Sequence, residues 1–180
     1  IGGGLGIRYR EETPPDIAAY GAAMLSLIGQ RPHRLLLEPG RALVGSGGAL
    51  LTRVEYLKRG EENHFAIVDA AMNDLLRPAL YDAWHDVLPL RQTSAAIRQY
   101  DVVGPVCESG DFLARDRQLS VNTGDFLAIA SAGAYGMSMS SNYNTRPRAA
   151  EVMVDGNRFH IVRDRESVAA LIANERRLPD

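Results

Sequence analysis

A single cysteine and a single lysine stand among the 180 residues. Cys107 alone excludes an internal disulfide and any cysteine-rich zinc site, and it fits a reducing, cytoplasmic setting. Lys58 is the one basic residue of 20 that is not an arginine, so chemistry that needs a lysine amine has one candidate. Histidine is scarce too: His33, His64, His85 and His160 form no H-x-x-x-H or H-E-x-x-H pattern, and no metal site is expected. No apolar run approaches the ~18 residues of a membrane-spanning helix. No charged segment followed by an apolar stretch marks a secretory leader. A formal net charge of −2 offers no basic surface to nucleic acid or to an anionic membrane. What remains is 46% hydrophobic and 23% charged, the balance of a globular chain. A chain of this size buries roughly 70% of its extended surface and needs no staples to fold.

The chain opens on Ile1-Gly2-Gly3-Gly4-Leu5-Gly6, a glycine turn with no strand feeding into it and no initiator methionine, and reads as the C-terminal part of something longer. Pro14-Pro15-Asp16 sets a helix start, and Ile17, Tyr20, Met24, Leu27 and Ile28 recur at helical spacing up to Gly29. Arg34 to Glu38 is a short apolar run ended by Pro39-Gly40, the pattern of a strand buried on both faces. After about Gly45 the character changes to short strands. Ala49–Leu57, His64–Asp69, Val87–Arg91, Tyr100–Cys107 and Asp125–Ala132 are expected strands. A hairpin is expected to join Ala150–Val154 to Arg158–Val162 through Asp155-Gly156. Glu166 to Arg176 reads as a closing helix. The expected architecture is therefore α/β plus all-β: residues 1–44 are the last βα units of a barrel, and residues 45–180 are a β-sandwich or β-barrel domain with a closing helix.

Five clusters carry chemistry. The Gly2-Gly3-Gly4-Leu5-Gly6 turn offers backbone N–H groups that suit a phosphate, although it matches neither G-x-G-x-x-G nor a P-loop. Glu38-Pro39-Gly40-Arg41 puts a carboxylate at a strand end beside an arginine that can grip an anion. It reads equally as an ion pair tying a loop. Arg77 and Tyr81 lie four apart and share a face if their turn is helical. Val106-Cys107-Glu108-Ser109-Gly110-Asp111 combines a thiol with two carboxylates, where the thiol is a proton donor, a nucleophile or inert packing. Gly133-Ala134-Tyr135-Gly136 holds an aromatic hydroxyl between glycines after an apolar strand.

The order and spelling of these blocks together, IGGGLGI, EPGR, VDAAMNDLLRPALYDAWH, GPVCESGDFLA and GAYGMSMSSNYNTRPRAAEVMV, resemble the diaminopimelate decarboxylase family over essentially the whole chain. That resemblance implies an alanine-racemase-like (β/α)8 barrel followed by a C-terminal β-domain, with pyridoxal 5'-phosphate as cofactor. It implies that Gly2, Gly3, Gly4, Gly40, Arg41 and Tyr135 bind the cofactor phosphate and that Glu38 faces the pyridine nitrogen. A carboxylate there keeps the ring protonated, which makes it a stronger electron sink. Arg41, Arg77 and Tyr81 would hold the substrate's distal carboxylate, Tyr135 would also contact the substrate, and Glu108 would meet its distal ammonium. Cys107 would deliver the proton after CO2 departs. The resemblance further implies a cytoplasmic homodimer whose sites are shared, with the Cys107–Asp111 segment serving the partner's site.

The cofactor-anchoring lysine of that family lies on an early barrel strand, which this sequence does not contain. Lys58 falls in the β-domain stretch and is not that residue, so these 180 residues alone are expected to be inactive. Ornithine, arginine and carboxynorspermidine decarboxylases are the alternative enzymes. In ornithine and arginine decarboxylases an Asp commonly follows the cysteine, whereas here Glu108 does, and Arg77 favours a distal carboxylate. A non-catalytic pyridoxal-phosphate-binding homologue and a free-standing β-domain binding module are the non-enzymatic readings.

Overall fold

The structure, a computed structural model, describes residues 1–179. Helix α1 spans Ile17–Ile28. Asp16 caps it by accepting the Ala19 N–H at 2.8 Å. Gly29 ends it at φ 57°, a conformation that lacks a steric cost only for glycine. The helix lies where its apolar spacing predicts, yet Ile17, Leu25 and Leu27 are exposed, Tyr20, Met24 and Ile28 are half-buried, and no residue of the helix is fully buried. The expected strand at 34–38 is chain without a ladder. A parallel strand exists only through its neighbours, and none of the described residues pairs with this one. Helix α2, Gly40–Val44, follows the Pro39 turn, and one 3-10 turn over Gly45–Gly47 leads into the sheet.

Six strands make that sheet: β1 (Leu50–Arg59), β2 (His64–Val68), β3 (Val87–Pro89), β4 (Arg98–Val103), β5 (Phe112–Leu119) and β6 (Phe126–Ile129). Their order is β3-β6-β1-β2-β4-β5. All pairs are antiparallel except β2 with β4. The edge strands β3 and β5 approach each other, so the sheet curls into a nearly closed barrel. Strand alternation supplies its filling: Val54 from β1, Ala66 and Val68 from β2, Tyr100 and Val102 from β4, Leu113 and Leu119 from β5, and Leu127 and Ile129 from β6. Each of the larger aliphatics contributes about 1.5–3 kcal/mol by leaving water. Helix α3, Arg77–Tyr81, crosses between β2 and β3.

Strand β5 is absent from the sequence expectation, and its backbone says why. Asp116 sits at φ 58°, and the β4–β5 register shifts around Tyr100–Val103. Such bulges break the two-residue alternation. The bulge is held by side chains: Asp101 accepts the Asp116 N–H at 2.9 Å, and Gln99 donates to the Asp116 carboxylate at 2.7 Å. Strand β4 ends at Val103 rather than at Cys107, because Pro105 has no N–H to donate and Gly104 turns its own N–H to the Asp111 carbonyl at 3.0 Å. The second sheet is the hairpin of β7 (Glu151–Asp155) and β8 (Arg158–Arg163). Its two loop residues are Gly156 and Asn157, one position later than expected, with Gly156 at φ 59° as primed turns require. The closing helix is a correction: α4 covers only Val168–Leu171. It buries no residue, and a helix without packing gains too little to propagate.

Candidate active site

Three loops converge on Tyr135. The first begins at Glu38, whose carbonyl accepts the Gly40 N–H at 2.9 Å and so closes the turn that launches α2. Arg41 in α2 lies with its guanidinium carbon 5.3 Å from the centre of the Tyr135 ring. The second loop carries Tyr135 itself. It is locked to the first by the Ala132 N–H to Gly48 carbonyl bond at 2.9 Å and by Gly133 N–H to Gly45 carbonyl at 3.1 Å. A methyl group on Gly133 would overlap the Val44 carbonyl oxygen, so the two loops approach as closely as backbone allows. Tyr135 adopts φ 61°, a left-handed conformation that costs a bulky residue on the order of 1–3 kcal/mol. Strain of that kind persists only where surrounding contacts fix the residue's aim.

The third loop supplies Arg77 at the start of α3. Its guanidinium carbon is 4.6 Å from the Tyr9 ring centre and 6.0 Å from that of Tyr135. Arg77 is buried, 8% exposed, yet no carboxylate lies within ion-pair distance of it among the described residues. A guanidinium drawn from water without an anion is costly. Its one hydrogen-bond partner there is the imidazole of His85 at 3.1 Å. Two cations thus lie near one tyrosine, both without an anion among the described residues. Tyr81, at the other end of α3, is exposed and stands outside this contact group.

The glycine turn runs against the Glu38 segment: a Cβ on Gly3 would come within 2.5 Å of the Glu38 carbonyl oxygen. Gly4 takes φ 94°, and the space beside Gly2 and Gly4 is open. The N–H groups of Gly2, Gly3 and Gly4 have no acceptor among the described residues.

Cys107 and Glu108 form a separate group in the loop between β4 and β5. Cys107 is a free, exposed thiol. Asp111 anchors the loop, accepting Met72 N–H at 2.7 Å and Val106 N–H at 3.0 Å. Burial pushes the Asp111 carboxyl above the usual range, and these two bonds oppose the shift. Glu108 accepts the Gly110 N–H at 3.1 Å and the Tyr143 hydroxyl at 2.9 Å. Those bonds, Gly110 first and Tyr143 next, hold its carboxyl below the ordinary value. Tyr143 is pushed up by the same contact. No hydrogen bond, ion pair or ring contact joins this group to Arg41, Arg77 and Tyr135 among the described residues.

Five contributors have no signal in the sequence: Tyr9, His85, Asp111 as an anchor, Tyr143 and Arg146. Each acts through a partner at least several residues away, and Tyr143 reaches Glu108 across 35 positions. The Tyr9 hydroxyl is buried without a hydrogen-bond partner. The Arg146 Nε donates to Asn73 at 3.0 Å and ties the Tyr143 segment to the loop before α3.

A curled six-stranded sheet of this kind has counterparts among known proteins. The chain belongs to the pyridoxal-dependent decarboxylase family, and residues 42–133 match the family's C-terminal sheet domain. The diaminopimelate decarboxylase of Pseudomonas aeruginosa is 60% identical over 179 residues, 99% of this chain. The diaminopimelate decarboxylase of Vibrio cholerae is 55% identical over 181 residues, 100% of this chain. The crystal structure of diaminopimelate decarboxylase from Helicobacter pylori complexed with L-lysine is similar at a TM-score of 0.90 and 39% identity, covering 97% of this chain. In all three the chain spans 43% of the relative's length.

Proposed function

We propose that this chain is the C-terminal part of a diaminopimelate decarboxylase, which converts meso-2,6-diaminopimelate to L-lysine and CO2 in the last step of lysine biosynthesis. The observation that carries this reading is the pair of guanidiniums, Arg41 at 5.3 Å and Arg77 at 6.0 Å from the Tyr135 ring centre, both without an anion of their own. A substrate with a distal carboxylate supplies the charge missing beside Arg77; ornithine and arginine do not. Names of relatives at 55–60% identity support the same substrate.

Pyridoxal 5'-phosphate is the cofactor of this reading, and the residues present suit it. Gly2, Gly3 and Gly4 offer free backbone N–H groups beside open space, and Gly40, Arg41 and the Tyr135 hydroxyl complete a set of anion donors. Glu38 follows as the partner of the ring nitrogen. The bound cofactor serves as the electron sink that lets the bond between Cα and the carboxylate break as CO2 leaves. Arg41 and Arg77 bind the distal carboxylate, with Tyr81 and Tyr135 closing the substrate's flanks, and Glu108 binds the distal ammonium. Cys107 gives its thiol proton to the carbon that lost CO2, completing lysine.

Residues 1–44 then form the last βα units of the cofactor-binding barrel and residues 45–180 the C-terminal β-domain. The lysine that anchors the cofactor belongs to the barrel, outside this chain, so these 180 residues are inactive alone. The separation of the Cys107–Glu108 loop from the Arg41–Arg77–Tyr135 group supports a homodimer in which each subunit lends that loop to its partner's site. The lone cysteine supports a cytoplasmic enzyme, and no helix among the described residues is long and apolar enough to cross a membrane.

Replacing Arg77 with Ala in the full-length protein tests the assignment. KM for diaminopimelate is expected to rise about tenfold or more, as loss of a charge-assisted hydrogen bond requires, with cofactor absorbance unchanged. An unaltered KM overturns the distal-carboxylate reading.

A further inference from the structure

His85 is fully buried, and both of its ring nitrogens are engaged. Nδ1 lies 2.8 Å from the Ala130 carbonyl oxygen, and Nε2 lies 3.1 Å from a terminal nitrogen of Arg77. A carbonyl only accepts and a guanidinium only donates. One protonation state satisfies both neighbours: the neutral ring with hydrogen on Nδ1 and a bare lone pair on Nε2. The other neutral tautomer and the imidazolium each point an N–H at the guanidinium.

The ring is fixed by more than these bonds. Tyr9 packs edge-on against it, ring centres 5.3 Å apart at 75°. Arg117 donates to the His85 carbonyl oxygen at 3.2 Å. The charged groups facing the imidazole are Arg77 from α3, Arg117 from β5 and Asp86 beside it. Burial first, then Arg77 and Arg117, hold the ring's pKa below the ordinary value, against the Ala130 bond and Asp86.

We propose that His85 is a positioning residue for substrate recognition, turning the Arg77 guanidinium so that its free N–H edge meets the substrate's distal carboxylate. This rests on the reading that Arg77 binds that carboxylate. Tyr9 takes one face of the guanidinium, His85 takes one N–H, and the remaining donors have no acceptor among the described residues. A neutral acceptor suits the task better than a carboxylate. Asp or Glu at this position would orient Arg77 equally well but neutralise it, and would compete with the anion it is meant to hold. An imidazole with its proton pinned on the far nitrogen orients the cation and leaves its charge available.

The test compares His85→Phe, His85→Gln and Arg77→Ala in the full-length, cofactor-loaded enzyme with diaminopimelate as substrate. Phe removes the acceptor, whereas Gln returns an oxygen acceptor and an N–H donor. His85→Phe is expected to raise KM about tenfold with kcat changed far less, and His85→Gln to recover most of the loss. In parallel, 15N-histidine NMR of the wild type is expected to find His85 protonated on Nδ1 and unresponsive between about pH 5.5 and 8, where an ordinary histidine titrates. If Arg77→Ala leaves KM unchanged, the reading of Arg77 fails and the role of His85 falls with it. If Arg77→Ala raises KM while His85→Phe matches wild type, the positioning role alone is overturned. Should His85→Phe not fold, the tautomer and the Gln variant decide: an Nε2–H ring or a titrating signal, or a Gln variant as impaired in KM as Arg77→Ala, overturns the proposal.

Discussion

The Tyr143 hydroxyl donates to the Glu108 carboxylate at 2.9 Å, joining the thiol-bearing loop to a segment 35 residues further along the chain. The Tyr143 segment is itself pinned. Asn142 donates to Glu166 at 2.6 Å, and Arg148 pairs with the same carboxylate at 3.1 Å. Glu108 is therefore aimed by a chain of contacts that runs to the edge of the small hairpin.

This contact contributes to how Glu108 titrates. Its folded pKa lies below the unfolded value, through Gly110 first and Tyr143 second. Its contribution to stability is thus present above the unfolded carboxylate value, about 4.3, and is lost as pH falls through the lower folded midpoint. Tyr143→Phe removes one of the two bonds, so the Glu108 midpoint is expected to move up toward the ordinary value. Carbon-13 NMR of the glutamate carboxyls reads this directly. An unmoved midpoint would show that Tyr143 does not hold Glu108.

Asp111 is expected to matter for stability. Its two oxygens each accept a backbone N–H, from Met72 and Val106. Asp111→Asn leaves only one acceptor oxygen, and one half-buried N–H loses its partner. The cost should be about 1–3 kcal/mol in urea unfolding. A variant as stable as wild type would mean that the loop is anchored elsewhere.

The sheet barrel was legible in the sequence because its strands alternate cleanly: Thr52 and Val54 face inward between exposed Leu51, Arg53 and Glu55. The bulge at Asp116 hid β5, since it breaks the alternation by which a half-buried strand is read. The apolar run at 34–38 reads as a strand, but a ladder depends on residues that pair with it, and sequence pattern carries no information about them. At the site, Arg41, Arg77 and Tyr135 were readable as charged or hydroxyl-bearing residues in turn-rich segments, and the structure brings all three together. Tyr9, His85 and Tyr143 were not, because each acts through partners that only the fold brings near.

Cys107→Ala in the full-length protein is expected to cut turnover about 10²–10⁴-fold, the range for losing a general acid. Cofactor absorbance should remain, because the thiol touches no residue of the Gly2–Gly4, Arg41 and Tyr135 group. Single-turnover kinetics with diaminopimelate measure it, and unchanged turnover would remove Cys107 from the proton-donor role.

The most direct measurement is CO2 release by the full-length enzyme with pyridoxal phosphate, offered meso-diaminopimelate, ornithine and arginine in parallel. Two uncompensated arginines beside Tyr135 predict release from diaminopimelate alone, with lysine as the product. Release only from ornithine or arginine would contradict the reading of Arg41 and Arg77 as carboxylate ligands. Bound cofactor with no release from any of the three would contradict decarboxylation itself.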